Sequence, residues 1–295
     1  MILKKYQNSV IAIGNFDGVH LGHKKVLKEA KKKAKEKKLK LGVLTFEPVP
    51  VMFFNKKITN HRINNLSQKI EHLKKTNIDF LKIIKFNKNF SNLTPADFIK
   101  KIVFKKLKAK YVFVSKNFKF GKNREGNINT LKKYEKNFSY KTIVSIPLKK
   151  NKKVLSSTII RSKISSGKIK EVNKSLGRNW CIDGTVIKGH MRGRKIGFPT
   201  CNIKLRDYVM PKLGVYSVII KFGDFKKKGI ANIGYRPTFS GKTLLLEVNI
   251  FGIKKNLYKK TLRVEFINFI RRERKFKSIN DLKKQIKKDI MKAKS

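Results

Sequence analysis

Residues 14–23 read GNFDGVHLGH, and this stretch is the most informative one about the fold of the first half of the chain. An apolar run over residues 10–13 precedes it, and an amphipathic helix pattern with lysines on its polar face follows it. The stretch therefore predicts a turn from a strand into a helix. In a parallel α/β sheet such a turn binds anions, because the amide groups that begin the helix point out of the sheet and glycines let the backbone come close.

The rest of the first half alternates strand and helix signals. Strands are predicted over 41–46, 80–86 and 111–114, and helices over 69–75 and from 95 to about 107. Thr94 and Asp97 flank Pro95 and Ala96 in a pattern that caps the start of a helix. This alternation predicts a doubly wound parallel sheet.

The second half changes character. Strands separated by Gly, Asn and Pro are predicted over 180–187, 214–222, 228–233, 244–251 and 262–270, which is typical of an antiparallel sheet or barrel. A last helix begins at Ser278, with Asp281 completing its cap and an apolar stripe at Ile279, Leu282, Ile286 and Ile290. We therefore predict a first domain over 1–166, a linker over 167–179 and a second domain over 180–295.

His20 and His23 are three residues apart, so they share one face at the start of the first predicted helix. Two imidazoles aimed at one point suit the negative charge that builds on a phosphorus atom under attack. Either histidine alone would fit an ordinary cap or core position. The pair within a glycine-rich strand-to-helix turn instead indicates phosphate chemistry.

The chain is strongly basic, with 74 Lys and Arg against 18 Asp and Glu and a formal net charge of +56. Such an excess fits a nucleic-acid or anionic-membrane partner. It also fits an A+T-rich genome, because Lys, Asn, Ile and Phe are abundant together and the lysines occur along the whole chain. We favour the compositional explanation and expect no dedicated nucleic-acid or membrane partner.

Two features of the sequence indicate where in the cell the protein occurs: its two cysteines and its lack of a long apolar run. Cys181 and Cys201 form no CxxC pair and cannot build a disulfide framework. No apolar run approaches the roughly 18 residues of a membrane span. Asn15 and Asp17 interrupt the first apolar run, so no signal peptide is predicted. We expect a cytoplasmic protein.

The stretch over 14–23 resembles the opening motif of prokaryotic FAD synthetases, which are HIGH-type nucleotidyltransferases. Three later segments resemble the same family in order: TFEP at 45–48, NFKFG at 117–121 with Arg124 and Gly126, and LSSTIIR at 155–161. In the last segment, Ser157 and Thr158 offer donors at a helix start, and Arg161 adds a forked cation for phosphate.

This resemblance implies a role for each matching residue. His20, His23 and Arg161 are the expected catalytic residues. The expected phosphate-binding residues are Gly14, Asn15, Phe16, Asp17, Gly22, Ser156, Ser157 and Thr158. Asn117, Phe120 and Arg124 are the expected flavin-binding residues.

Residues 193–202, GRKIGFPTCN, closely resemble the signature of riboflavin kinases, whose core is PTxN. Thr200 and Asn202 supply hard oxygen ligands that suit Mg²⁺ on ATP phosphates. Strand alternation places Glu247 on the face opposite Leu246 and Val248. The resemblance implies that Glu247 is the general base for the ribityl 5′-hydroxyl of riboflavin. It also implies ATP contacts from Gly193, Arg194 and Gly197, and a flavin or phosphate contact from Arg271.

Together the motifs resemble the bifunctional riboflavin kinase/FAD synthetase family over nearly the whole chain. The resemblance implies an N-terminal Rossmann-like nucleotidyltransferase domain, in an α/β plus β chain, and a C-terminal six-stranded antiparallel β-barrel with a terminal helix. The barrel would phosphorylate riboflavin to FMN, and the N-terminal domain would transfer AMP from ATP to FMN, giving FAD and pyrophosphate. Riboflavin, FMN and ATP are the expected partners, and Mg²⁺ is the expected cofactor.

Two departures from the family pattern leave alternatives open. Val49 stands where the family often has His, and Ser115 stands where it often has Gly. A chain with an inactive N-terminal domain would make FMN but not FAD. The HxGH spacing alone also allows another phosphate ester as the acceptor. A basic nucleic-acid-binding protein on these folds would instead bind DNA or RNA at physiological salt.

Overall fold

A computed structural model describes residues 6–58, 60–150, 153–189, 192–238, 241–253 and 255–294. The chain divides into two compact units. The first comprises Met1–Thr59 and Leu66–Ser156, and the second comprises Asn60–Asn65 and Ser157–Ser295. None of the helices within the described ranges is long and apolar enough to cross a membrane.

The first unit is built on a five-stranded parallel sheet with the order β3-β2-β1-β4-β5. Its strands are β1 (Val10–Ile13), β2 (Leu41–Glu47), β3 (Phe80–Lys85), β4 (Tyr111–Ser115) and β5 (Lys141–Ser145). All four residues of β1 are buried, as expected of a central strand covered on both faces. The strand order reverses between β1 and β4, which is where such sheets bind ligands at their carboxyl ends. The sequence patterns predicted four of these strands and missed β5.

Helices cover the sheet of the first unit. They are α1 (Leu21–Glu36), α2 (Pro50–Phe54), α3 (Leu66–Lys74), α4 (Lys88–Ser91), α5 (Pro95–Asp97), α6 (Ile128–Lys133) and α7 (Glu135–Phe138). Helix α5 continues as a π-helical segment, Phe98–Lys106. The predicted cap is confirmed, because Thr94 Oγ1 accepts a hydrogen bond from the Asp97 amide at 3.1 Å. A short hairpin of β6 (Lys149–Lys150) and β7 (Lys153–Val154) follows.

The second unit is a closed barrel of six antiparallel strands, in the order β10-β11-β12-β9-β8-β13. The strands are β8 (Trp180–Ile187), β9 (Cys201–Lys204), β10 (Gly214–Phe222), β11 (Phe225–Thr238), β12 (Gly241–Ile250) and β13 (Thr261–Arg271). Trp180, Tyr216 and Phe266 are fully buried aromatic residues of its core. The predicted six-stranded barrel is confirmed, although the four-residue strand β9 was not predicted.

The unit that holds the barrel begins earlier than the predicted second domain. Its helices are α8 (Ser157–Ser165), α9 (Ile169–Leu176), α10 (Arg192–Lys195) and α11 (Ile279–Lys294). The predicted linker, 167–179, is largely helix α9. The side chain of Asn173 on this helix accepts a hydrogen bond from the Trp180 amide at 2.8 Å and donates to the Phe266 carbonyl at 2.9 Å. The linker prediction thus missed a helix that is bonded to the barrel.

Six residues from the first half of the sequence, Asn60–Asn65, belong to the barrel unit. The amides of His61 and Arg62 donate to the carbonyl oxygen of Asp207 at 3.0 and 2.8 Å. The Trp180 indole donates to the Ile63 carbonyl at 2.8 Å. No periodic pattern in the sequence indicated this packing, because the contacts join residues more than a hundred positions apart.

Helix α11 packs against β10, β11 and β13. Three residues of the predicted apolar stripe are half-buried: Leu282, Ile286 and Ile290. Ile279, the first residue of the helix, is 62% exposed. The most buried residue of the helix is instead Asp289, which pairs with Arg271. The predicted stripe therefore faces the barrel at three of its four positions and is wrong at Ile279, which lies at the exposed start of the helix.

Candidate active sites

The turn after β1 folds tightly. Phe16, Gly18 and Val19 all have positive φ angles, of 49°, 81° and 37°. The Val19 amide donates to the Phe16 carbonyl at 3.1 Å, and Phe16 and Asp17 are buried. This backbone leads directly into the start of α1, whose amide groups suit an anion.

His20 and His23 meet at the start of α1, as predicted. Their rings are stacked, with centroids 3.7 Å apart and planes inclined by 18°. His20 is the N-cap, and its Nδ1 accepts a hydrogen bond from the His23 amide at 3.3 Å. Since Nδ1 is an acceptor, the proton of neutral His20 is assigned to Nε2. The edge of the Phe16 ring contacts the His23 ring, with 5.2 Å between centroids.

Gly22 makes room for this histidine pair. A Cβ atom at position 22 would lie 3.0 Å from Cε1 and 3.1 Å from Nδ1 of His20, which is closer than normal packing allows. A larger residue at position 22 would therefore require the His20 ring to shift by a few tenths of an ångström. The sequence motif includes Gly22 for a steric reason that only the structure reveals.

The end of β2 lies beside the histidine turn. Thr45 is fully buried, and its Oγ1 donates to the carbonyl oxygen of Asn15 at 3.1 Å. The Gly14 amide donates to the Leu44 carbonyl at 3.1 Å. Val49, where the family often has His, is buried and is the N-cap residue of α2. A small apolar side chain therefore fills this position.

The predicted flavin-binding segment follows β4. Asn117 and Arg124 are exposed, and Arg124 has a φ angle of 61° in a short 3₁₀ turn, Lys122–Arg124. Phe120 differs, because its ring is buried and lies 5.0 Å from the Phe98 ring in the hydrophobic core. Phe120 thus has a packing role, and its contact with flavin stays a prediction.

The predicted phosphate motif at 156–161 falls at the division between the two units, with Ser156 in the first and the following residues in the second. Ser157 and Thr158 form the first turn of α8, as predicted, and Arg161 is half-buried one turn later. His61 lies close to Arg161. Burial, followed by the charges of Arg161 and Arg62, lowers the pKa of His61 to about 4. No motif or periodic pattern in the sequence indicated a role for this histidine.

Two glycines of the loop at 193–202, which resembles the riboflavin kinase signature, are required by the backbone geometry. The Phe198 amide donates to the Gly193 carbonyl at 2.8 Å, and a Cβ atom on Gly193 would lie only 2.4 Å from the Phe198 carbonyl oxygen. Gly197 has a φ angle of 89°, which other residues rarely adopt. Arg194 between them is exposed. The loop therefore forms a tight, basic turn before β9.

A row of polar residues crosses three neighbouring strands of the barrel. Glu247 on β12 pairs with Asn202 on β9 and with Asn232 on β11. Glu247 is half-buried on the strand face opposite the buried Leu246 and Val248, as predicted. Directly paired residues have Cβ atoms about 4.5–5.5 Å apart, so these side chains are neighbours. The structure thus brings Glu247 next to Asn202.

Glu273 also lies beside this row. The Asn232 amide donates to a carboxylate oxygen of Glu273 at 2.9 Å. The same carboxylate would lie 2.1 Å from a Cβ atom placed on Gly234, so that glycine admits it. No role was predicted from the sequence for Asn232 or Glu273.

The donor set fits a magnesium ion that is also bound to phosphates. Thr200 is exposed just before β9, and Asn202 is buried beside Glu247. Hydroxyl, amide and phosphate oxygens are the ligands that Mg²⁺ prefers. Within the described ranges, no group of three or more His, Cys, Asp or Glu side chains could hold a metal ion.

Arg271, predicted to contact flavin, has a structural partner. Its guanidinium donates to the carboxylate of Asp289, with Nη2 2.8 Å and Nε 3.0 Å from the oxygens. Gln285 also donates to Asp289, at 2.8 Å. The pair joins β13 to α11, and a flavin contact from Arg271 stays a prediction.

Comparisons with known proteins cover both units. A family model described as FAD synthetase matches residues 2–159, and one described as riboflavin kinase matches residues 176–295. The bifunctional riboflavin kinase/FMN adenylyltransferase of Buchnera aphidicola subsp. Schizaphis graminum is 43% identical, over 98% of this chain and 94% of the relative. The proteins of the same name from Haemophilus influenzae and Escherichia coli K12 are 38% and 33% identical, over 98% and 97% of this chain and 94% and 92% of the relatives.

One solved structure is similar over both units. It is titled "Crystal Structure of Macrolide-efflux Protein from Streptococcus pneumoniae", has a TM-score of 0.87 and 31% sequence identity, and covers 98% of this chain and 94% of that chain. The activity in this title differs from those of the sequence relatives. A single title does not outweigh two family models and relatives that agree along nearly the full length. The chain therefore belongs to the family of bifunctional riboflavin kinase/FMN adenylyltransferases.

Proposed function

We propose that the two units catalyse successive steps. The second unit transfers the γ-phosphoryl group of ATP to the 5′-hydroxyl of riboflavin, giving FMN and ADP. The first unit joins the phosphate of FMN to the α-phosphorus of another ATP, giving FAD and pyrophosphate. The observation that supports this proposal is that each unit has its own cluster of polar side chains: the stacked His20–His23 pair in the first and the Asn202–Glu247–Asn232 row in the second.

In the kinase step, Glu247 is the general base. It orients the 5′-hydroxyl and accepts its proton as the oxygen attacks the γ-phosphorus. Thr200 and Asn202 would hold Mg²⁺ together with the ATP phosphates, and the bound ion would neutralise phosphate charge. Gly193, Arg194 and Gly197 form the turn that receives the phosphates. Asn232 keeps Glu273 beside this site through its hydrogen bond.

In the adenylyl step, the enzyme positions the FMN phosphate against ATP and stabilises the negative charge of the reacting phosphate. An oxygen of the FMN phosphate attacks the α-phosphorus of ATP while the bond to pyrophosphate breaks, so no covalent enzyme intermediate is needed. The Nε2 proton of His20, the His23 imidazole and the amides at the start of α1 stabilise the charge on the reacting phosphate. The turn residues Gly14, Asn15, Phe16, Asp17 and Gly22 shape this anion site.

The remaining predicted contacts belong to the proposal. Ser156, Ser157, Thr158 and Arg161 bind phosphate in the adenylyl step, and Asn117, Phe120 and Arg124 contact the flavin. A cytoplasmic location is also proposed, since Cys181 and Cys201 are free thiols.

A time course of flavin products tests the proposal. The purified chain is incubated with riboflavin, ATP and Mg²⁺, and riboflavin, FMN and FAD are separated by chromatography. We expect FMN to appear first and FAD after it, and chelation of Mg²⁺ to stop both steps. FMN alone would show that the first unit is inactive, with Val49 and Ser115 as the first positions to examine. No conversion at all would refute the proposal.

A further inference from the structure

Lys69 is a buried charged residue that the proposed reactions do not use. It lies on α3, and only 3% of its side chain is exposed. Taking an ammonium group out of water costs several kcal/mol unless polar partners compensate for the lost hydration. An apolar side chain of similar length would avoid that cost. The partners of Lys69 therefore indicate what the charge does.

The ammonium group of Lys69 holds the end of β2. Its Nζ donates to the carbonyl oxygen of Phe46 at 3.1 Å and lies 3.5 Å from Oε2 of Glu47. Phe46 and Glu47 are the last two residues of β2. The Glu47 carbonyl in turn accepts a hydrogen bond from the Phe86 amide at 2.7 Å, just after β3. One cation thus orders the point where the chain leaves the sheet.

The end of β2 is in turn bonded to the histidine turn. Thr45, one residue before Phe46, donates from Oγ1 to the Asn15 carbonyl at 3.1 Å. The neighbouring Leu44 carbonyl accepts a hydrogen bond from the Gly14 amide at 3.1 Å. A continuous series of contacts therefore runs from Lys69 through β2 to the residues that precede His20.

We propose that Lys69 is a positioning residue for adenylyl transfer: it holds the carboxyl end of β2 so that the adjoining turn keeps His20 and His23 in place. This inference rests on the proposed function of the first unit. Without the cation, the Phe46 carbonyl and the Glu47 carboxylate lose a buried partner, and the end of β2 relaxes. Small displacements of groups that contact the reacting atoms lower the rate steeply.

The test uses the full chain and compares K69M with K74M, the same substitution at an exposed lysine of the same helix. FAD formation is measured from supplied FMN and ATP, and FMN formation from riboflavin and ATP in the same preparation. For K69M we expect kcat for FAD formation to fall about tenfold or more, with KM for ATP and FMN changed less than about threefold. FMN formation stays at the wild-type rate, and K74M leaves both activities unchanged.

Two further variants separate positioning from stability. K69R keeps a cation and is expected to recover part of the lost kcat. E47Q removes one partner and is expected to lower kcat about threefold in wild type but to add little to K69M, since coupled residues act non-additively. Cooling the assay does not restore K69M if the defect is one of position.

The outcomes are distinct. If wild type forms no FAD, the proposed function of the first unit fails. If wild type forms FAD and K69M matches it within about twofold, the Lys69 inference fails alone. Recovery on cooling, or equal loss of both activities, would also overturn it, because the lysine would then only stabilise the fold. If K69M does not fold, unchanged FAD formation by E47Q overturns the inference.

Discussion

His20 and His23 illustrate how a short motif encodes a geometry. At a helix start, residues three apart face the same side, so the two rings can meet. The structure adds two reasons for their stacking: the bond from the His23 amide to His20 Nδ1, and the space that Gly22 leaves. The pair therefore depends on backbone and glycine as much as on the imidazoles.

Replacing His23 with Ala is expected to lower FAD formation from FMN by at least about a hundredfold, because transition-state charge loses a partner. FMN formation from riboflavin should stay near wild type, since Glu247 acts in the other unit. Both rates are measured in one preparation, with K28A, an exposed lysine of the same helix, as the control. Loss of both activities in a folded protein would contradict the two-centre assignment.

Replacing Glu247 with Gln should have the reciprocal effect. The amide keeps the size of the side chain but cannot accept the proton of the 5′-hydroxyl, so FMN formation should fall by about a hundredfold or more. Supplied FMN should still become FAD at the wild-type rate, and that reaction is the internal control for folding. FMN formation that survives in E247Q would remove Glu247 from the role of base.

The structural roles of Lys69 and Asp289 could not be predicted from any local pattern in the sequence. Lys69 reads as one more lysine of an amphipathic helix, and Asp289 as one more surface charge. Both are buried, and both have partners at distant positions: the end of β2 for Lys69 and Arg271 for Asp289. Local periodicity carries no information about burial or about partners that are distant in the sequence. The roles of such residues can therefore be recognised only in the folded structure.

The segment Asn60–Asn65 is an element whose packing local sequence patterns also do not predict. The segment has no strand or helix of its own, yet its backbone bonds to Asp207 and its Ile63 carbonyl to Trp180. The family resemblance assigned it nothing, and the predicted domain 1–166 placed it in the first half. Its conformation is specified by the barrel unit.

This segment makes the stability of the protein sensitive to acid. Burial and two arginines lower the pKa of His61 to about 4, so the unfolded chain takes up a proton near its ordinary value of 6.5 while the folded chain stays neutral. Stability from this group is therefore full above pH 6.5 and is lost as the pH falls from 6.5 toward 4. We expect H61N to lose less stability than wild type between pH 7 and pH 5.

Urea unfolding at the two pH values measures this difference. Protonation of carboxylates is common to both proteins and cancels in the comparison. An equal loss of unfolding free energy in wild type and H61N would show that His61 does not titrate with a lowered pKa.

The whole molecule carries a net charge of +56, which attracts any polyanion. We expect nonspecific DNA binding that falls steeply with salt, by at least about tenfold between about 50 mM and about 200 mM, as counterion release dictates. Binding to labelled duplex DNA at several salt concentrations measures this slope. Tight binding that persists at physiological salt would indicate a dedicated nucleic-acid function in addition to the enzyme activities.

The two fold classes and their order along the chain follow from sequence patterns alone. Strand and helix periods, capping residues and glycine-rich motifs are local properties. The residues of the histidine pair lie within a few positions of one another, and so do those of the PTxN segment. Features that depend on distant partners appear only in the folded units. They are the register that sets Glu247 beside Asn202 and Asn232, the place of Asn60–Asn65 in the barrel unit, and the burial of Lys69 and Asp289. The physical reason is that burial, ion pairing and strand register are set by chain segments that meet only when the whole unit folds.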